Sequence, residues 1–164
     1  MTDILTGRVW KYGDNINTDI ISPPAFMELP IAEAAKHAMS PIDPTFGSGV
    51  QKGDCFVAEQ NLGSGSSRET APLTLKALGI QVLVAASFAR IFYRNSINIG
   101  LLALECPRSA EIAAGDSIEI HLSENVILDL TTGARLPFSP MPEHILKLIE
   151  AGGLIPYLEQ YRLS

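Results

Sequence analysis

The 164-residue chain has little cysteine, little histidine and few cations, and each shortage excludes something. Its two cysteines, Cys55 and Cys106, cannot make a four-cysteine metal site, and no CxxC pair occurs. Both sit in or beside apolar runs, "CFVAE" and "LLALEC", and read as buried, reduced thiols. His37, His121 and His144 are far apart in sequence, so this chain by itself is a poor metal holder. Lysine and arginine total 12 against 18 acidic residues, a net charge of −6, which argues against a nucleic-acid binder. No apolar run reaches membrane-spanning length. The opening "MTDILTGRVW" lacks a basic stretch followed by an apolar core, so no signal peptide is expected and the expected location is the cytoplasm. There is no internal repeat.

What the chain does have is apolar mass. Hydrophobic residues make up 46% and charged residues 18%, which predicts one well-filled domain over residues 1–164. Arg8–Tyr12 reads as a strand ending in a Gly-Asp-Asn turn. The following "NTDIISPPAF" is expected to be irregular, because Pro23 and Pro24 interrupt it. Ile31–Met39 has helical spacing, stopped by Pro41 and Pro44. "GDCFVAEQ" reads as a strand, and a helix carrying Leu75 and Leu78 closes at Gly79. "IQVLVAAS" and "GLLALEC" are near-continuous apolar strands of the kind covered on both faces, separated by the short helix "FARIFYRNSIN". From Gly115 the pattern alternates, with hairpin turns at Glu124-Asn125 and Thr132-Gly133. "MPEHILKLIEAGG" is an amphipathic helix. The sum is a mixed α/β domain with at least one parallel crossover and C-terminal antiparallel strands.

The densest stretch is "NLGSGSSRETAP", Asn61–Pro72. It is not a P-loop, since no lysine follows Gly65. It is not a dinucleotide fingerprint, because Arg68 stands where a third glycine is needed. It lacks the GxSxG of a hydrolase elbow. It does join a strand to a helix, where unpaired amides and the helix dipole favour an anion. Gly63 and Gly65 would let the backbone approach a ligand closely. Ser66 and Glu69 have capping-box spacing, which an ordinary helix start would also show. Arg68 opposes the dipole in the first turn, and it makes sense as a grip on a carboxylate or phosphate.

Two more features accompany the loop. "GDNINTDIISP" places Asp14 and Asp19 after the first strand, where both could equally be turn-forming residues. "SFARIFYRNSINIG" puts Arg90 and Arg94 four apart on one helical face, with Phe88, Ile91 and Phe92 expected to pack inward.

At "YGDNINTDIISP", "NLGSGSSRETAP" and "AASFARIFYRNSINIGLLALE", in this order, the chain resembles the small subunits of 3-isopropylmalate dehydratases (isopropylmalate isomerases) of the aconitase superfamily. The resemblance covers essentially the whole chain. It implies a swivelling β/β/α domain of a hydro-lyase in leucine biosynthesis that isomerises 2- and 3-isopropylmalate by dehydration and rehydration. It implies a large-subunit partner that carries a [4Fe–4S] cluster, with no cluster ligands in this chain. Ser66 then matches the catalytic base, Ser67 and Arg68 match carboxylate-binding positions, and Asp19 matches an active-site aspartate. The segment after "IISP" reads the substrate side chain, which here aligns with Phe26, Met27, Glu28 and Leu29. The absence of arginine there disfavours citrate and the homocitrate of homoaconitase-type enzymes, and Phe26, Met27 and Leu29 suit an alkyl group. Glu28 would repel an anion if it pointed inward. Thr70 stands where a more polar side chain or an imidazole is expected. A related alkyl-malate such as 2,3-dimethylmalate stays open as substrate. A stand-alone anion-binding domain without chemistry is the rival of another class.

Overall fold

The computed structural model describes residues 3–65 and 69–163, with 161–163 as backbone only. In chain order the elements are β1 (Ile4–Lys11), α1 (Thr18–Ile21), α2 (Ile31–Ala34), α3 (Phe46–Gly49), β2 (Cys55–Val57), α4 (Thr70–Leu78), β3 (Val82–Ala85), α5 (Arg90–Asn98) and β4 (Leu102–Glu105). They are followed by β5 (Ser117–His121), β6 (Val126–Asp129), β7 (Arg135–Pro137), α6 (Glu143–Ala151) and α7 (Leu154–Leu163). The seven strands form one sheet in the order β4-β3-β2-β1-β5-β6-β7. The β1–β4 half is parallel and the β5–β7 half antiparallel, so the mixed α/β expectation holds.

β1 belongs to both halves. Val9–Lys11 pair in parallel with Cys55–Val57, while Ile4–Arg8 pair antiparallel with Ser117–His121. The second partner explains why β1 starts four residues before the expected Arg8. Along β2, β3 and β4 alternate side chains enter two cores. Phe56, Leu83, Ala85 and Ala103 join Leu75, Phe92 and Ile97 of the helices. Val57, Val84 and Leu104 join Ile118, Ile120, Ile127 and Leu136 of the antiparallel strands. The antiparallel half therefore folds back over the parallel half, and the layers run helix, parallel strands, antiparallel strands. Apolar burial on both faces is why these strands read as unbroken hydrophobic runs.

Three expectations are corrected and one element is new. The "irregular" segment contains α1, capped by Asn17 Oδ1 accepting from Ile20 N–H at 2.9 Å, and a 3₁₀ turn over Pro24–Phe26. Pro23 and Pro24 separate these two short pieces, and Pro24 opens the second, where its missing N–H costs nothing. The predicted Ile31–Met39 helix is α2 followed by a 3₁₀ turn, Ala35–His37. It ends because Met39 takes φ +63° and donates to the Ile20 carbonyl. Ile91 is not packed inward. It is 49% exposed, and Ser96 is buried instead, its hydroxyl bonded to the Phe92 carbonyl at 2.8 Å. Finally, α7 has no counterpart in the sequence reading. Pro156 falls in its first turn, where proline is tolerated, and its apolar Ile155 and Leu158 face outward.

At the far end of the β5–β6 hairpin, Asp116 and Asp129 are both buried and share a hydrogen bond. Asp129 Oδ1 accepts from the Thr131 and Thr132 amides at 3.0 and 3.2 Å, and Asp116 Oδ2 accepts from Ala113 N–H at 3.0 Å. Burial and the neighbouring Asp116 push the Asp129 carboxyl up, while the bond from Asp129 holds Asp116 down. Two carboxylates in contact hold one proton between them. The unfolded chain releases that proton at ordinary carboxylate pH, so stability falls as pH rises through the raised Asp129 value. Asp116 contributes in the other direction, with stability lost at acid pH. Asp129→Asn keeps the Oδ1 acceptor and offers an amide donor to Asp116. Urea midpoints measured from pH 4 to 9 should therefore decline with pH in the parent and run flatter in Asp129→Asn, with the variant no less stable at pH 8. Parallel curves would remove the shared proton from the account.

Candidate active site

The parallel register aligns Val9, Cys55, Val82 and Leu102, so the carboxyl ends of β1–β4 finish together at one edge. In open α/β sheets ligands bind beyond that edge. All three motif segments leave the sheet there: Tyr12–Asn17 after β1, Ala58–Gly65 after β2, and Ala86–Ala89 after β3.

Backbone hydrogen bonds continue the ladder into these loops. Asn15 N–H donates to the Gln60 carbonyl at 2.8 Å, Gly63 N–H to Ile16 at 2.7 Å, and Thr18 N–H to Ser64 at 2.9 Å. On the other side Leu62 N–H donates to Ser87 at 3.0 Å, and Ala89 N–H to Leu62 at 2.9 Å. Side chains lock the same strap. Asp14 Oδ1 accepts from Gln60 N–H at 2.9 Å, and Asn61 Nδ2 donates to Asn15 Oδ1 at 3.1 Å. Ser87 Oγ accepts from Asn61 N–H and donates to Gln60 Oε1, both at 2.8 Å. Asn15 and Asn61 both take positive φ, 56° and 58°, a conformation asparagine tolerates.

The two loop glycines serve different ends. Gly63 is buried at φ +88°, and a Cβ there would enter the Phe92 side chain. Its small size makes room for α5 rather than for a ligand, which corrects the expectation of close ligand approach at that residue. Gly65 is exposed at φ +96°, with Thr18 Oγ1 3.6 Å from where its Cβ would lie.

Ser66, Ser67 and Arg68 lie outside the described residues. The loop resumes at Glu69, already in helical backbone and making no side-chain cap bond, and α4 starts at Thr70. Of the first three residues of α4, Thr70 and Ala71 carry an N–H and Pro72 does not, so this helix end offers fewer free amide donors than most. Asp19 is the exposed second residue of α1, one place after the strap's Thr18–Ser64 bond. Asp14 is structural, as a turn-forming residue would be.

The chain then turns over Pro24–Phe26 and presents Met27 and Leu29, 46% and 42% exposed, with Glu28 also exposed. Phe26 is half-buried and stacks on His37, with ring centroids 3.8 Å apart and planes 6° apart. Arg90 and Arg94 are exposed on α5 and border a cavity of about 290 Å³ with Tyr93, Ile97, Ile145 and Leu148. The strap partners Gln60, Ser87 and Thr18 were not singled out from sequence. Only the position of Ser87 directly after an apolar strand could have marked it.

The residues present do not fit a metal cluster. Among the described residues no three His, Cys, Asp or Glu side chains gather as a ligand set. Cys55 starts β2, whereas Cys106 follows the end of β4, at opposite ends of the parallel strands. Both are buried, and burial pushes the Cys55 thiol up to about 12 and raises Cys106, away from the thiolate that binds metal. No helix among the described residues is long and apolar enough to cross a membrane.

Comparison with known proteins agrees with this geometry. Residues 37–109 match the family model of the aconitase C-terminal domain. The chain is 50% identical to the 3-isopropylmalate dehydratase small subunit of Nautilia profundicola, covering 96% of each. It is 49% identical to the 2,3-dimethylmalate dehydratase small subunit of Eubacterium barkeri, covering 93% of this chain and 94% of that one. The crystal structure of 3-isopropylmalate dehydratase from Methanocaldococcus jannaschii superposes with a TM-score of 0.93 at 38% identity, covering 98% of this chain and 96% of that one.

The strap yields a stability prediction. Gly63→Ala should cost about 3 kcal/mol or more, because it adds a clash with Phe92 to a left-handed backbone. Gly65→Ala, meeting only the backbone term, should cost about 1–2 kcal/mol. Urea unfolding of the two variants measures the difference, and equal losses would contradict the packing role of Gly63.

Proposed function

This chain belongs to the family of 3-isopropylmalate dehydratase small subunits, a hydro-lyase component that works only with a large subunit, and on that premise we propose that it isomerises 2-isopropylmalate and 3-isopropylmalate for leucine biosynthesis. The observation that carries the reading is the convergence of the three motif segments at the carboxyl edge of the parallel strands. In this proposal residues 1–164 act as one cytoplasmic unit that closes over the active centre of the large subunit. The large subunit holds a [4Fe–4S] cluster, which supplies a Lewis-acidic position for the substrate hydroxyl and a carboxylate.

The proposed roles within this chain are as follows. Ser66 removes a proton from the carbon next to the departing hydroxyl and returns it on rehydration. A serine must become an alkoxide to do so, a shift of about six units that needs roughly 8 kcal/mol of preferential stabilisation of the anion. Arg68, the amides at the start of α4 and a closed, dry site all act in that direction. Ser67 and Arg68 bind a substrate carboxylate. Asp19 faces the same site, on the helix next to the strap. The Phe26–Leu29 turn meets the substrate side chain. Its exposed Met27 and Leu29 suit an alkyl group, and Phe26, braced against His37, fixes the turn.

A second substrate has a specific observation behind it. Identity to the dimethylmalate relative is 49%, against 50% to the isopropylmalate relative, so 2,3-dimethylmalate is the alternative on the same mechanism.

The test is anaerobic turnover by the chain reconstituted with a cluster-loaded large subunit, offered 2-isopropylmalate, 2,3-dimethylmalate and homocitrate. The expected result is turnover of 2-isopropylmalate, reduced about 10²–10⁴-fold in Ser66→Ala while the complex still assembles. Turnover of dimethylmalate alone would move the substrate and keep the mechanism. No turnover of any of the three by an assembled complex would replace the enzyme reading with a non-catalytic anion-binding domain.

A further inference from the structure

Helix α5 carries two unlike faces. Phe92 and Ser96 turn into the core, whereas Arg90, Tyr93, Arg94 and Ile97 recur at the i, i+3, i+4, i+7 spacing that gathers side chains on one side of a helix. Arg90 and Arg94 are exposed there, and Ile97 is the buried floor. With Ile145 and Leu148 of α6 this stripe lines the cavity of about 290 Å³. A second cavity of about 440 Å³ shares Arg90 and Tyr93 with the first and adds Phe88 and Glu105. The two therefore form one groove, running about 12 Å along α5 from Arg90 to Asn98.

The groove starts at the edge where the motif segments converge. Arg90 follows directly on Ala86–Ala89, and Glu105 ends β4 at the same edge. Neither guanidinium forms an ion pair with a described residue, Glu105 included. Arg90, in the first turn of α5, also opposes the helix dipole, so the helix itself does not account for it. Tyrosine and arginine around an apolar floor are the residue types enriched at the centre of protein interfaces.

A second copy of this chain is a poor occupant. Two-fold pairing centred on the groove uses the same patch on both sides, and so brings the two arginine pairs together. The large subunit fits better. The chain works only with that partner, and a partner supplying the active centre must meet the carboxyl edge where the groove begins. Free cations beside an apolar floor ask of it carboxylates beside an apolar side chain. We propose that this groove is a docking surface for the large subunit, which seats an apolar side chain between α5 and α6 and sets Asp or Glu side chains against Arg90 and Arg94. This rests on the pairing in the reading above and on none of its catalytic assignments.

The experiment titrates the full chain into the cluster-loaded large subunit by anaerobic calorimetry, at low and at physiological salt. Arg94→Glu, the double variant Arg90→Glu/Arg94→Glu and the conservative pair Arg90→Lys/Arg94→Lys are compared with Lys52→Glu. Lys52 is exposed just before β2, at the opposite end of the parallel strands, so Lys52→Glu makes the same charge change as Arg94→Glu away from the groove. All four should keep the parent's urea midpoint, as exposed substitutions do. Kd should weaken about tenfold in Arg94→Glu and about a hundredfold or more in the double reversal, with a smaller salt dependence than the parent's. The lysine pair should recover most of that loss, and Lys52→Glu should bind within about threefold of the parent. A double reversal that binds as tightly as Lys52→Glu would overturn the inference with the pairing intact, and sedimentation of the free chain would then show whether the groove joins two copies. A parent chain that forms no complex would instead remove the pairing itself, and this inference with it.

Discussion

The bond from Gly63 N–H to the Ile16 carbonyl is the joint on which the site turns. At 2.7 Å it lies in the middle of the run of backbone bonds that carries the β1–β2 pairing past the end of the sheet. On either side of it the Asn15–Gln60 and Thr18–Ser64 backbone bonds tie the loop after β2 to the first loop and to α1, so it closes the gap between them. It can form only because residue 63 has no side chain. The backbone there is left-handed, and Phe92 occupies the space a Cβ would need. One small residue thereby couples the first loop, the second loop and α5, the three pieces that the motif pattern had picked out separately.

The layering explains why such a strap is affordable. The parallel strands are buried on both faces, by helices on one side and by the antiparallel strands on the other. Apolar burial contributes roughly 25 cal/mol per Å² and does not depend on direction, so it holds the strand ends together without constraining what hangs beyond them. The loops at the carboxyl edge can then carry positive-φ asparagines. Asp14, Gln60, Asn61 and Ser87 supply the directional bonds there. Cys55, at the start of β2, and the shared-proton pair Asp116–Asp129, at the open end of the β5–β6 hairpin, sit away from the strap.

Much of the fold was legible because its signals were local. Val82–Ala85 and Leu102–Glu105 stand out as apolar runs, α4 ends at the expected glycine, and the two hairpin turns fall at the expected dipeptides. The failures share a cause. α1 and the 3₁₀ turn at Pro24 are too short to show a period, α2 breaks because Met39 is drawn to Ile20, and α7 turns apolar residues outward. Ile91 looked like a core residue by type, yet the inward face of α5 is set by Phe92 and Ser96. In each case a partner remote in sequence decided the outcome.

For the site the division is similar. The sequence by itself determined the chemistry on offer, because residue types and their order are local facts. A glycine–serine loop ends in an arginine, an Asn-Thr-Asp segment comes before it, and an arginine-bearing helix comes after. The same facts determined the family resemblance. Only the tertiary structure decided that these three segments meet at one edge. It also decided that Asp14 is a brace while Asp19 stands on a helix, and that Gly63 answers to Phe92. Those outcomes depend on parallel strand pairing between residues tens of positions apart, and on the space left after side chains pack, neither of which a one-dimensional pattern encodes.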